Sequence, residues 1–191
     1  STVYKAKPGG YTLDDYYAIP DNRRVELIDG VIYDMAAPST IHQYIIAKLL
    51  AAFDGWISSK NGSCIVLPSP LDVQIDCDDR SMVEPDLVVI CDPAKRITRC
   101  IMGAPDLVIE VLSPSSTRMD TKIKLAKYAS AGVREYWVID PKRERVCVYW
   151  SPEEDIAAVY GPEDDVPVGI FGGEFHVPMS RIFEQIRLME V

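Results

Sequence analysis

Hydrophobic and polar residues recur along this chain with two periods, one typical of helices and one typical of strands. From residue 39 to about residue 59, apolar residues recur at three- and four-residue steps, at Ile46, Leu49, Phe53 and Trp56. This spacing predicts a long amphipathic helix that Ser39 or Thr40 can cap. Further helices are predicted after Thr12, over about residues 117–131, and from about residue 178 to the C-terminal region.

Short apolar runs predict the strands. Residues 25–28 and 31–33 flank Asp29-Gly30, a dipeptide strongly typical of a two-residue β-hairpin turn. Other runs predict strands over residues 64–67, 71–75, 83–91, 106–112, 135–139 and 146–150. Several of these runs are apolar on both faces, which is typical of central strands covered on two sides. The pattern therefore predicts the α/β class, with a mixed β-sheet flanked by helices.

Composition and net charge narrow the range of functions that this chain can have. The 191 residues are 48% apolar and 26% charged, which is typical of a globular protein with a substantial core. We expect a single domain over residues 11–191 after an N-terminal tail of residues 1–10. A net charge of −9 disfavours a polybasic nucleic-acid or lipid binder. No apolar run is long enough to span a bilayer and the first residues do not resemble a secretory signal. We therefore expect a cytoplasmic protein with no membrane partner.

The five cysteines, at positions 64, 77, 91, 100 and 147, include no CxxC pair. Their odd number and wide spacing argue against a disulfide framework and against a zinc knuckle. Most of them lie in apolar, strand-like stretches, so we predict small, buried free thiols.

Acidic residues inside apolar strands are the main chemical signal. Glu110 lies between Ile109 and Val111, Asp86 precedes a Leu-Val-Val-Ile run, and Glu26 precedes Leu-Ile. An ionised carboxylate is costly to bury unless it is paired or bound to a cation. Each acid alone could lie at a strand end open to water. Three such acids in one small domain are harder to explain as side chains on a solvated surface.

Distance along a strand decides which acids can act together. Asp106 and Glu110 would share one face of one strand, but their Cα atoms would lie about 13 Å apart. One ion holds its oxygen ligands at about 2.0–2.6 Å, so this pair cannot share it. Adjacent strands, about 5 Å apart, can bring Asp86 beside Glu110. We therefore predict that Asp86 and Glu110 form the pair and that Asp106 starts a strand.

A stripe of residues at four-residue intervals follows on the predicted helix, at Asp120, Lys124 and Tyr128. Lys124 could therefore point along the sheet toward Glu110. Lys122 and Lys127 are alternatives, and Lys122 is the stronger of the two. Helix statistics alone favour a different interpretation, an exposed ion pair between Asp120 and Lys124.

Five strings carry a family resemblance: Glu26-Leu-Ile-Asp-Gly30, Pro85-Asp86-Leu, Leu107-Val-Ile-Glu110-Val-Leu-Ser-Pro-Ser115, Asp120…Lys124…Tyr128 and Gly132-Val-Arg-Glu-Tyr-Trp-Val-Ile-Asp-Pro141. In this order they resemble the Uma-type family of bacterial proteins classed as restriction endonucleases, within the PD-(D/E)XK nuclease superfamily. The resemblance covers about residues 11–186. The Leu-Ser-Pro-Ser and Glu-Tyr-Trp-Val-Ile-Asp-Pro strings are specific in combination.

The resemblance implies a restriction-endonuclease-like core that hydrolyses phosphodiester bonds of DNA with Mg²⁺, or with Mn²⁺. The catalytic residues at the matching positions would be Glu26, Asp86, Glu110 and Lys124. Asp86, Glu110 and the Val111 carbonyl would bind the metal. The superfamily motif has a lysine two residues after the second acid, where this chain has Leu112. The resemblance therefore implies that the lysine has moved to the following helix, at Lys124.

Four further residues are possible members of the site: His42, Asp120, Lys122 and Tyr128. His42 lies where family members often carry a histidine. One alternative function is a catalytically silent nucleic-acid- or protein-binding module on the same fold, which Leu112 and the net charge favour. Another is a metal-free hydrolase with two carboxylates, which the apolar strands and the nearby lysine fit less well. A homodimer would supply the two sites that double-strand cutting needs.

Overall fold

The computed structural model describes residues 9–189, so residues 1–8 of the predicted tail lie outside the described residues. The α-helices are α1 (Leu13–Tyr17), α2 (Thr40–Ser59), α3 (Lys124–Ala131) and α4 (Ser180–Arg187). The strands are β1 (Val25–Ile28), β2 (Val31–Asp34), β3 (Ile65–Pro68), β4 (Val73–Gln74), β5 (Leu87–Ile90), β6 (Ile101–Met102), β7 (Leu107–Val111), β8 (Glu135–Asp140), β9 (Arg145–Tyr149), β10 (Ala158–Tyr160), β11 (Asp165–Pro167) and β12 (His176–Pro178). The four predicted helices and eight predicted strands are observed, whereas the short strands β6, β10, β11 and β12 were not predicted.

The main sheet has the strand order β10-β9-β8-β7-β5-β3. Its β7–β8 pair is parallel, and its other neighbouring strands are antiparallel. Parallel neighbours need a long connection, and the segment between β7 and β8 contains α3. The predicted mixed sheet flanked by helices is therefore confirmed.

Alternating side chains of the central strands face two separate cores. One core, against α2 and α4, includes Leu87, Val89, Leu107, Ile109, Trp137, Phe53 and Phe183. The other, against α3, includes Val88, Ile90, Val108, Tyr136, Leu125 and Tyr128. Glu110 lies two residues after Val108 on β7, so its side chain shares the face that α3 covers. This alternation directs a carboxylate toward a helix.

The β1–β2 hairpin has the turn that its sequence predicts. Asp29 and Gly30 both have positive φ, at 49° and 74°, as a type I′ turn requires. Backbone hydrogen bonds of 2.9 and 2.8 Å join Leu27 to Met82 in both directions. These bonds hold β1, and with it Glu26, against the segment that leads into β5.

The predicted helix ends are also observed, with one local difference. Ser39 caps α2, because its side chain accepts a hydrogen bond from the His42 N–H at 3.1 Å. Gly132 ends α3 with a φ of 88°. The segment before α3, Met119–Ile123, is a π-helical turn. Within residues 9–189, no helix combines the length and apolar character needed to cross a membrane.

The prediction of small, buried free thiols is correct for Cys100 and wrong for Cys64 and Cys91. Cys64 and Cys91 form a disulfide at the adjoining ends of β3 and β5. The two cysteines are 27 residues apart, but antiparallel pairing makes them direct neighbours, which spacing along the chain does not reveal. Of the free thiols, Cys100 is buried, Cys147 is half-buried and Cys77 is exposed.

Candidate active site

Lys124 lies at the centre of the site. Its Nζ is 2.8 Å from Glu26 Oε1 and 3.1 Å from Glu110 Oε1. Asp120 Oδ1 lies 4.0 Å from the same atom. The side chains of Lys124, Glu26 and Glu110 are each only 3% exposed, so this is a buried ionic cluster and not an exposed helical pair. Strand β1, strand β7 and the start of α3 each contribute one of its members.

The other candidate lysines point elsewhere. Lys122 is exposed, because it lies two positions before Lys124 and projects from another side of the helix. Lys127 is buried, but its Nζ pairs with Asp29 Oδ1 and Asp76 Oδ2, each at 2.6 Å. The geometry therefore favours Lys124 over both alternatives as the lysine of the site.

Tyr128 and Asp120, the outer members of the predicted stripe, also reach this cluster. The Tyr128 hydroxyl donates a hydrogen bond to Glu110 Oε1 at 2.7 Å. Asp120 is buried, and its backbone carbonyl accepts a hydrogen bond from Tyr136 at 2.7 Å. The four-residue spacing thus brings all three side chains of the stripe close to Glu110.

Asp86 lies one position before β5, beside Glu110 of β7. The antiparallel register pairs Leu87 with Ile109, and its continuation sets Asp86 across from Glu110 on the same face. Asp86 Oδ2 accepts a hydrogen bond of 2.8 Å from the Val111 N–H. The sequence-based pairing of the two strand acids is thus consistent with the observed register.

His42 lies in the site with Asp86, whereas Asp106 lies outside it. His42 Nε2, at the start of α2, lies 3.1 Å from Asp86 Oδ2 and so joins the site. Asp106 instead accepts a hydrogen bond from the Cys91 N–H at 2.7 Å and pairs with Arg134 at 3.1 Å. It supports the beginning of β7, as expected for a strand-start residue.

Burial and crowding shift the pKa values of these groups. Burial raises the pKa of Glu110 well above its usual value, although Lys124 opposes the shift. Burial also raises the pKa of Asp120 to about 6. Burial would lower the pKa of Lys124, but the surrounding carboxylates raise it well above its usual value. For Asp86, burial is outweighed by the hydrogen bond and charge of His42, which lower its pKa. Acids outnumber bases here, so a further cation would be stabilised.

The donor set fits a Mg²⁺ ion bound by two carboxylates. No group of three or more His, Cys, Asp or Glu side chains within residues 9–189 is arranged to hold a metal. Lys124 engages one oxygen each of Glu26 and Glu110, at 2.8 and 3.1 Å, but Glu26 lies on β1, outside the main sheet. Asp86 and Glu110 remain as a pair on neighbouring strands. Mg²⁺ commonly uses one or two carboxylates and keeps several waters, so this pair is sufficient.

A cavity of about 940 Å³ opens onto the cluster. Its walls come from residues 16–25, 33–43 and 113–124. The described carboxylates that line it are Asp21, Glu26, Asp34, Asp72, Glu84, Asp86, Glu110 and Asp120. The described lysine and arginine side chains that line it are Arg23, Arg24, Arg118 and Lys124. The cavity is therefore acidic, in keeping with the negative charge of the whole chain.

Several residues of the site carried no clear sequence signal. Glu84 holds Glu26 through its backbone N–H, and any residue type except proline could supply that group. The Ser116 carbonyl accepts a hydrogen bond of 2.9 Å from the Asp120 N–H, and the Ser116 side chain acts to lower the pKa of Asp120. The run of serines after β7, at positions 113, 115 and 116, could have marked this wall of the cavity.

Comparisons with known proteins agree with this architecture. The Uma2 family model, described as "Putative restriction endonuclease", matches residues 13–178. The uncharacterized protein slr1290 of Synechocystis sp. (strain ATCC 27184 / PCC 6803 / Kazusa) is 31% identical over 130 residues, which cover 68% of this chain and 67% of that protein. A crystal structure described as "a putative nuclease belonging to DUF820", from Anabaena variabilis ATCC 29413, superposes with a TM-score of 0.76 at 23% identity. That match covers 92% of this chain and 98% of the other, so the two proteins share a fold. The chain belongs to the Uma2 family.

Proposed function

We propose that this protein is a metal-dependent nuclease that hydrolyses phosphodiester bonds of DNA. The observation that carries the proposal is the buried contact of the Lys124 ammonium with Glu26 and Glu110, at 2.8 and 3.1 Å. Asp86 lies across from Glu110 and completes a cluster of acids with one lysine. Membership of the Uma2 family supports a nuclease-type reaction.

Asp86, Glu110 and the Val111 carbonyl are the groups that would hold Mg²⁺ or Mn²⁺. When bound, such an ion lowers the pKa of a water molecule and neutralises charge on the phosphate. The Asp86 carboxylate is oriented by the Val111 N–H at 2.8 Å and by His42 at 3.1 Å. The Glu110 carboxylate is oriented by the Tyr128 hydroxyl at 2.7 Å. Both carboxylates are therefore held in place before a substrate arrives.

Lys124 would contact the phosphate, whereas the carboxylates of Asp86 and Glu110 would hold the metal. Glu26 and Glu110 hold its ammonium group at the inner end of the cavity, and the charge of this lysine is maintained because their carboxylates raise its pKa. An ammonium held in this way can donate a hydrogen bond to an anionic phosphate oxygen, and it is worth more there than in water. Glu26 thus acts through Lys124, as a positioning residue.

Divalent-ion binding and plasmid nicking test the proposal together. We expect calorimetry to detect Mg²⁺ or Mn²⁺ binding that is lost in Asp86→Ala and in Glu110→Ala, with loss of nicking in both. Asp106→Ala is the matched control, because this acid contacts Cys91 and Arg134 instead of the cluster. That variant should keep both properties. Absence of binding at millimolar ion concentration would refute the metal dependence.

Two alanine variants test whether Lys124 or Lys122 is the lysine of the site. Lys124→Ala should abolish nicking, whereas Lys122→Ala, in the same helical segment but exposed, should leave it unchanged. Equal loss in both variants would contradict the assignment. Leu112 at the usual lysine position favours the alternative of a catalytically silent binding module. That alternative predicts nucleic-acid binding without nicking by the unmodified protein.

A further inference from the structure

Glu26, Glu110 and Lys124 form the proposed reactive cluster, which lies below the protein surface. Glu110 is 2% exposed, and Glu26 and Lys124 are 3% exposed. They line the cavity of about 940 Å³, whose volume is at the upper end of the range for small-molecule sites, so a phosphate can reach them through it. In a duplex, base pairing holds each strand to a second one, and the two backbones together carry one negative charge per about 1.7 Å of helix axis. A single strand has no such partner and can bend one phosphate into the cavity.

One wall of this cavity presents an aromatic side chain to solvent. Tyr17 lines the cavity and is 47% exposed. Tyr16 packs edge-on against it, with ring centroids 5.5 Å apart, and donates a hydrogen bond to Asp72 Oδ1 at 2.7 Å. The Arg99 guanidinium lies 5.7 Å from the centre of the Tyr17 ring. Tyr17 therefore has a supported position: Arg99 lies over its ring, and about half of the residue remains exposed to a ligand.

The charges around the cavity also disfavour a duplex. Carboxylates outnumber arginine and lysine side chains in the described lining, so a dense array of phosphates is repelled. Arg24 is paired with Glu84 at 2.8 Å. Arg118, on another wall, is exposed and forms no ion pair with any residue in the range 9–189. An arginine that has no ion pair within residues 9–189 suits a few phosphates better than a continuous double strand.

We propose that the substrate is a single-stranded segment of nucleic acid, with a base stacked on Tyr17 and a phosphate beside Arg118. This inference rests on the proposed nuclease function and adds the class of substrate to it. Single-strand binding elsewhere combines aromatic stacking with local positive charge, and stacking tolerates every base because each has a π-face. The segment can be a free strand, a flap or an unpaired bubble.

Three labelled oligonucleotides of one sequence test the inference: a single strand, a full duplex, and a duplex with an unpaired flap. In Mn²⁺ or Mg²⁺, the protein should cut the single strand and the flap at least tenfold faster than the duplex. Tyr17→Ala should lower kcat/KM on the single strand by about 5- to 150-fold, because a base loses its stacking partner. Tyr17→Phe keeps the ring and should remain close to the unmodified protein.

Ile156→Ala is the matched control, since this side chain is 69% exposed and does not line the cavity. It should change no rate. Cutting of the duplex as fast as the single strand would overturn the inference and leave the nuclease function standing. A Tyr17→Ala variant with unchanged kcat/KM on the single strand would overturn it as well.

Binding measurements separate the two proposals where no oligonucleotide is cut. Fluorescence anisotropy then compares the labelled single strand with the duplex. Tighter, Tyr17-dependent binding of the single strand would support the substrate class and refute hydrolysis. Equal or absent binding of both would refute the substrate class together with the nuclease.

Discussion

Replacing Lys124 by methionine removes the ammonium group that lies 2.8 Å from Glu26 and 3.1 Å from Glu110, but keeps a chain of similar length. The carboxylates would then be buried without their counter-charge. Removing one partner of a buried ion pair typically costs about 3–5 kcal/mol, because the remaining charge is uncompensated. We expect a loss of this size in the metal-free protein.

This loss of unfolding free energy corresponds to a fall in melting temperature, which calorimetry or a dye-binding melt can measure. For a domain of roughly 150–250 residues, 1 kcal/mol corresponds to about 2–4 °C. Lys124→Met in EDTA should therefore melt roughly 6–20 °C below the unmodified protein. Lys122→Met is the control, since Lys122 is exposed and a surface substitution usually changes stability by less than about 0.5 kcal/mol.

Added Mg²⁺ extends the same experiment to the proposed cation site. An ion at one hundred times its dissociation constant stabilises the folded state by about 2.7 kcal/mol. The variant should gain more than the unmodified protein, because the positive charge of Lys124 no longer repels the ion. A fall in melting temperature no larger than that of Lys122→Met would refute the buried ion pair. A large fall that Mg²⁺ does not reduce would refute the cation site.

Three further predictions concern groups outside the proposed reactive cluster. Lys127→Ala removes the 2.6 Å contacts that join α3 to Asp29 of the hairpin turn and to Asp76 after β4. It should cost about 1 kcal/mol in urea unfolding and lower nicking, whereas Lys127→Arg should keep both the stability and the nicking. Gly169→Ala would press its Cβ against Glu135 Oε1, so a loss of about 1–3 kcal/mol is expected in the same assay. Burial raises the pKa of Glu135 from 4.5 to about 7, so the folded state holds a proton that the unfolded state has lost. The free energy of unfolding should therefore fall as pH rises from about 4.5 to about 7, and Glu135→Gln should flatten that fall.

Each of these predictions has a result that contradicts it. Lys127→Arg behaving like Lys127→Ala would mean that the charge of this lysine does not tie α3 to the hairpin. Unchanged stability in Gly169→Ala would mean that the backbone moves away from Glu135 without cost. An identical pH profile in Glu135→Gln and in the unmodified protein would exclude Glu135 as the group that titrates.

Local patterns determined most of the elements of this protein. The hairpin turn at Asp29-Gly30 and the long helix α2 depend on backbone preferences and on hydrophobic periodicity within a few neighbouring residues. Such signals are complete in a short stretch of sequence. The acids Glu26 and Glu110 were also identifiable from sequence, since a carboxylate inside an apolar strand is an electrostatic anomaly wherever the strand lies.

Contacts between distant segments were decided only by the tertiary structure. The disulfide of Cys64 with Cys91 depends on the register of two strands, which spacing along the chain does not specify. The approach of His42 to Asp86 depends on how α2 packs across the sheet. Sequence left Lys122, Lys124 and Lys127 as alternatives because all three lie on one helical segment. The rotation of that segment against β1 and β7 brings Lys124 to the acids, and this rotation follows from the packing of the whole core.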